Sequence, residues 1–188
     1  LSFAASTVIS LIVIPILRKL KVGQSEREDG PQSHLKKKGT PTMGGLILII
    51  TIVLLSAFLY IDYAKDEPEI ATRLLPMVFV TIGFGLIGFI DDFKKVILHN
   101  TDGLSPKLKM IGLLIIAVAY VVMLVFNFDN GTDIYIPFVK TYITLPLWLY
   151  IPFAVIVILA TTNAVNLTDG IDGLSTSVTT IILTCLTV

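Results

Sequence analysis

The chain is short of the residues on which soluble chemistry depends. Only 15% of its 188 residues are charged, against about 25% in a soluble domain. The 14 basic and 14 acidic residues cancel, which leaves no global attraction for nucleic acid. There is one cysteine, Cys185, and it lies in an apolar run. That excludes an internal disulfide and a thiolate cluster, and leaves a small packing residue. His34 stands among neutral flanks and is uninformative by itself. Charge is missing altogether from long stretches: 1–17, 39–61, 74–90, 110–128, 141–168 and 173–188.

Crossing a bilayer as a helix takes about 20 mostly apolar residues, with a range of roughly 17–25. The internal runs meet that length, and the two terminal ones are cut by the chain ends. The pattern predicts an all-α, polytopic membrane protein, a single transmembrane domain over 1–188 with about six spans. The chain opens at Leu1 and stops at Val188, each inside an apolar run, and so reads as part of a longer protein.

The basic residues orient these spans. Arg18, Lys19, Lys21, Arg27, Lys36, Lys37 and Lys38 fall in the first loop, and Lys94, Lys95, Lys107 and Lys109 in the third. The second loop holds Lys65 and Arg73, the fourth only Lys140, and the fifth none. Basic residues beside spans stay in the cytoplasm, so the loops at about 18–43, 91–109 and 163–173 face inward. The outer loops carry turn residues such as "DNGTD", for which solvation is sufficient.

Each inner loop carries a polar string. In "GFIDDFKK", Asp91 and Lys95 have the i,i+4 spacing of an ordinary salt bridge, worth a few tenths of a kcal/mol. Two adjacent carboxylates at a membrane edge repel each other. A divalent cation relieves that repulsion, since Mg²⁺ uses one or two carboxylates plus substrate phosphates. In "NAVNLTDGIDGL", Asn163, Asn166, Asp169 and Asp172 recur every third residue, and Gly170 and Gly173 allow a close turn. Such amides and carboxylates can read the edge of a base or hold a metal's hydration shell; a cap and tight turn is the plainer account. "SHLKKKGTPTMGG" joins three lysines to a Thr/Pro/Gly hinge, and an anchor at anionic headgroups accounts for the lysines alone. Its glycine spacing is not that of a P-loop.

Taken in this order on one membrane face, the three strings resemble the phospho-N-acetylmuramoyl-pentapeptide transferases of the polyprenyl-phosphate N-acetylhexosamine-1-phosphate transferase superfamily. The DD and NxxNxxDGxDG patterns are shared across the superfamily, and "KKGTPTMGG" points to the muramoyl-pentapeptide branch. The resemblance covers nearly the whole chain. It implies a ten-span enzyme of peptidoglycan synthesis, and hence of cell shape and division, in the bacterial inner membrane with its active site facing the cytoplasm. It implies Mg²⁺-dependent transfer of phospho-MurNAc-pentapeptide from UDP-MurNAc-pentapeptide to undecaprenyl phosphate, releasing UMP. On the same basis Asp91 and Asp92 are the catalytic acids and Mg²⁺ ligands, with a third ligand and a histidine motif expected beyond Val188. Lys95 lies near the substrate phosphates, and Lys37 and Thr42 line the nucleoside site. Asn166, Leu167, Asp169, Gly170 and Asp172 match the nucleoside-binding and catalytic loop, with Asp172 the candidate for uracil. Membrane lipids surround the protein, and a homodimer is among the assemblies the resemblance allows.

Two alternatives remain. A related enzyme of the superfamily takes UDP-GlcNAc in place of the muramoyl pentapeptide. A transporter places its binding groups near the bilayer midplane, often in broken helices, whereas the charges here sit at span ends.

Overall fold

Apolar runs this long leave backbone N–H and C=O groups with no water to bond, so the chain must satisfy them internally, and helices follow. The computed structural model describes residues 1–19, 43–97, 103–128, 131–170 and 173–187. Six helices run through them: α1 (Ser2–Lys19), α2 (Gly45–Asp66), α3 (Pro68–Ile97), α4 (Pro106–Asn127), α5 (Leu147–Thr168) and α6 (Leu174–Thr187). The first five are long and apolar enough to cross a membrane. Helix α6, at 14 residues, is shorter than the usual span. Many hydroxyls within the helices donate to their own backbone. Thr51, Thr81 and Thr161 donate to the carbonyls of Ile47, Met77 and Val157 at 2.6, 2.7 and 2.8 Å, as side chains without water must.

The chain divides into two compact units, residues 1–116 and 117–188. In the first, α1 packs on α2 and α2 on α3. Glu67 breaks the helix between α2 and α3: its φ of −138° leaves the helical region, and Pro68 then opens α3 at the position where a missing N–H costs nothing. The helices approach closely at glycine. A Cβ on Gly85 would collide with the Ile49 side chain, and one on Gly83 would lie 2.8 Å from Cγ2 of Ile116 on α4. Small residues at such contacts let membrane helices close on one another. Outward-facing Leu48, Leu54 and Ile115 are exposed, as lipid-facing side chains should be.

At 30 residues, α3 is about 45 Å long, against a hydrocarbon core of about 30 Å. Its charged ends, Glu69–Arg73 and Asp91–Lys95, therefore extend past the apolar stretch between them. Around its C-terminal end, Leu17 of α1 and Met43 are buried together, with Val13, Leu46, Phe89 and Val96 packed on them.

The second unit departs from the all-helical expectation at one place. Residues 141–144 do not open a span; they form β2 (Thr141–Thr144), paired antiparallel with β1 (Asp133–Ile136). Ile134 faces Ile143 and Tyr135 faces Tyr142, the two rings 5.1 Å apart. These β-branched and aromatic pairs favour a hairpin over a helical turn. Asp133 accepts a hydrogen bond from the Thr144 hydroxyl, so this loop holds more than solvated turn residues. Pro146, at φ −64° and ψ 147°, then sets the start of α5.

Candidate active site

The C-terminal turn of α3 and the turn that leads into α4 build one charged cluster. Asp91 is 6% exposed, deep for an acid at the end of a membrane helix. Its Oδ2 accepts from Lys95 Nζ at 2.7 Å, and Lys109 Nζ of α4 lies 3.8 Å from the same oxygen. Its Oδ1 accepts the backbone N–H of Leu104 at 2.8 Å. Both oxygens of Asp91 are thus engaged by the protein itself.

The turn that supplies Leu104 is encoded in "GLSP". Gly103 has φ +64°, which suits a residue without a Cβ. A Cβ there would also sit 2.6 Å from Asp91 Oδ1 and 2.6 Å from Lys95 Cε. Ser105 caps α4, its carbonyl accepting Lys109 N–H at 3.0 Å, and Pro106 occupies the first helical position, where proline is preferred. Gly103, Leu104 and Lys109 were not among the site residues expected from the sequence. The Gly and Ser-Pro punctuation was the available signal, but its link to Asp91 spans thirteen residues and is a tertiary contact.

Asp92 has different surroundings. Successive helical residues point about 100° apart, so it does not share the contacts of its neighbour. It is half-buried, and among the described residues it makes no hydrogen bond or ion pair. The adjacent acids are therefore not an equivalent pair. Asp91 has the i,i+4 partner that its spacing predicts, and Asp92 retains an uncommitted carboxylate beside Lys95 and Lys109. Among the described residues no three His, Cys, Asp or Glu side chains group as a metal site. An Mg²⁺ ion sharing its ligands with substrate phosphates needs one or two carboxylates, and Asp92 fits that use.

In the second unit, α5 ends at Thr168 and Asp169–Gly170 form a turn. Asn163 donates its side-chain amide to the Leu159 carbonyl at 2.7 Å, so that amide is partly committed to its own helix. Asn166, Leu167, Asp169 and Gly170 are all exposed. Gly173, at φ +77°, turns the chain into α6, and its carbonyl accepts Ser177 N–H at 2.9 Å. Lys37, Thr42 and Asp172 lie outside the described residues. Met43, the residue after Thr42, is described: it has φ +68° and is buried against Leu17, near Phe89 and Val96 of α3. Met43 is thus docked on the helix end that carries Asp91 and Asp92.

An apolar cavity of about 400 Å³ opens between α4, β1 and α5, lined by Tyr120, Leu124, Tyr135, Tyr150 and Phe153 among others. It contains none of the expected site residues.

Residues 74–188, which include the acids, the "GLSP" turn and the asparagine-rich loop, match glycosyl transferase family 4. The chain belongs to this family. Residues 37–49, which include Lys37, Thr42 and Met43, match phospho-N-acetylmuramoyl-pentapeptide-transferase signature 1. The chain is 49% identical over its whole length to a phospho-N-acetylmuramoyl-pentapeptide-transferase of Acetivibrio thermocellus, of which it covers 54%. It is 48% identical over 98% of its length to one of Clostridium botulinum strain Alaska E43, covering 54% of it. Against that of Bacillus subtilis strain 168 the identity is 44% over 93% of the chain and 52% of the relative. The chain spans about half the length of these curated relatives. Its family and its apolar helices make it a multi-pass membrane protein of a bacterial type, as the three polar strings lead one to expect.

Proposed function

We propose that this chain contributes the catalytic acids and part of the nucleotide site of a phospho-MurNAc-pentapeptide transferase. A terminal oxygen of a polyprenyl phosphate, undecaprenyl phosphate in this reading, attacks the sugar-bearing phosphorus of UDP-MurNAc-pentapeptide. A new P–O bond forms, the bond to the UMP oxygen breaks, and UMP leaves with that electron pair. Both reactants are anionic and one is a lipid, so the chemistry belongs at a membrane surface, and the distribution of lysines supports the cytoplasmic one.

The observation that carries the reading is the Asp92 carboxylate, unpaired among the described residues and within electrostatic reach of Lys95 and Lys109, at the end of a helix too long for the bilayer. Lys95 and Lys109 screen the phosphates and stabilise charge developing on the leaving group. Asp92 would hold Mg²⁺, which when bound supplies further neutralisation of the diphosphate. Asn166, Asp169, Gly170 and Asp172 take the nucleoside, together with Lys37 and Thr42. The signature at 37–49 favours the muramoyl pentapeptide over a UDP-GlcNAc substrate.

The test is UMP release by the full-length protein in lipid. Asp92→Asn should lower it by roughly two orders of magnitude or more, the scale of losing a charge-stabilising or general-base group. Near-normal turnover of this variant at millimolar Mg²⁺ rejects the assignment.

A further inference from the structure

We infer that Asp91 is a positioning residue: its carboxylate latches the Gly103–Leu104 turn onto α3 and so holds Lys95 and Lys109 beside the reacting phosphates. The inference rests on the transferase reading and changes the role of one of its two acids.

Three contacts make the latch. Leu104 N–H enters Oδ1 at 2.8 Å, Lys95 enters Oδ2 at 2.7 Å, and Lys109 stands 3.8 Å from Oδ2. The three partners come from α3 itself, from the turn, and from the first turn of α4. A carboxylate that accepts hydrogen bonds from α3 and from the turn, and ion-pairs with α4, fixes the approach of α4 to α3 at this end. The fit is tight, because Gly103 presses its bare Cα against Asp91 and Lys95 and has no room for a Cβ. With Asp91 6% exposed, a lipid phosphate has little access to its oxygens. Asp92, one helical step round, is half-buried and makes no hydrogen bond or ion pair among the described residues. A buried hydrogen-bonded acid packed against a glycine turn with no room for a Cβ is an arrangement for holding backbone in place, and the charges of the lysines it holds reach Asp92.

The latch and a direct chemical role predict different variant patterns in the full-length protein. Asparagine keeps an acceptor for Leu104 N–H and alanine does not. The latch therefore predicts that Asp91→Asn turns over roughly 10-fold faster than Asp91→Ala, the scale of leaving the Leu104 N–H without an acceptor. Gly103→Ala, which leaves the Asp91 carboxylate in place, should lose turnover as Asp91→Ala does. The double variant should be little worse than either single one, since residues acting through one contact are not additive. Amide exchange of residues 103–109 should speed up in Asp91→Ala and Gly103→Ala and stay as in wild type in Asp92→Asn.

The inference is overturned if Asp91→Asn is as inactive as Asp91→Ala while exchange at 103–109 stays slow, or if Gly103→Ala turns over normally. Should Gly103→Ala fail to fold, the ratio of Asp91→Asn to Asp91→Ala decides alone. Failure of the transferase reading itself looks different: Asp92→Asn would then release UMP at the wild-type rate, whatever Asp91 does.

Discussion

At the scale of single residues, neighbours in the sequence have unlike environments. Asp91 and Asp92 differ by one helical step, and among the described residues that step separates a carboxylate engaged at both oxygens from one engaged at neither. The same holds within the asparagine-rich loop. Asn163 spends its amide on the Leu159 carbonyl, while Asn166 is exposed on the last turn of α5. If the loop reads a uridine nucleotide, Asn163→Ala should leave UMP affinity nearly unchanged. Asp172→Ala should weaken it roughly 10- to 150-fold, since a hydrogen bond to a charged acceptor is worth about 1.5–3 kcal/mol. Calorimetric titration of the full-length variants with UMP measures both. Unchanged affinity in a stably folded Asp172→Ala protein removes that residue from the nucleoside site.

At the scale of elements, helix formation followed from composition, but helix contacts were set by small residues that hydropathy does not weigh. Gly85 faces Ile49 with no space for a Cβ, whereas Gly88, one turn on, meets nothing within 4 Å. Gly85→Val should therefore overpack the α2–α3 contact and cost about 1–3 kcal/mol. Gly88→Ala should be neutral or slightly stabilising, because alanine is favoured over glycine in helices by about 1 kcal/mol. Thermal unfolding of both variants in one detergent checks the contrast, and equal midpoints would argue against the close approach. The β1–β2 hairpin shows the opposite limit of sequence reading. Hydropathy runs 141–168 together as one apolar stretch, while the pairing of Ile134 with Ile143 and Tyr135 with Tyr142 assigns its first four residues to a strand. A charge-free run is blind to period, and here the two-residue period of the strand decided.

At the scale of the whole molecule, the basic residues predict which face carries the chemistry. In a full-length protein with every native cysteine, Cys185 among them, replaced by alanine, a cysteine at Lys107 should react with an impermeant maleimide only from the cytoplasmic side. One at Val139, an exposed position in the hairpin turn, should react only from outside. Labelling of both from the opposite sides would end the cytoplasmic assignment. The all-α membrane class and the family were legible in the sequence alone. Each depends on local composition or a contiguous string: apolar length drives helix formation without water, and "KKGTPTMGG", "IDDFKK" and "NLTDG" are read within a single segment. The Asp91–Leu104 hydrogen bond, the burial of Met43 against α1 and α3, and the seating of Ile49 and Ile116 over glycines were not legible. They join residues far apart in the chain, and their distances are set by how helices pack rather than by what any one segment prefers. The sequence therefore determined that two acids stand side by side at the end of an apolar run, and only the tertiary structure decided that one of them, Asp91, is bound by Lys95 and the Leu104 turn, because that contact joins segments thirteen residues apart.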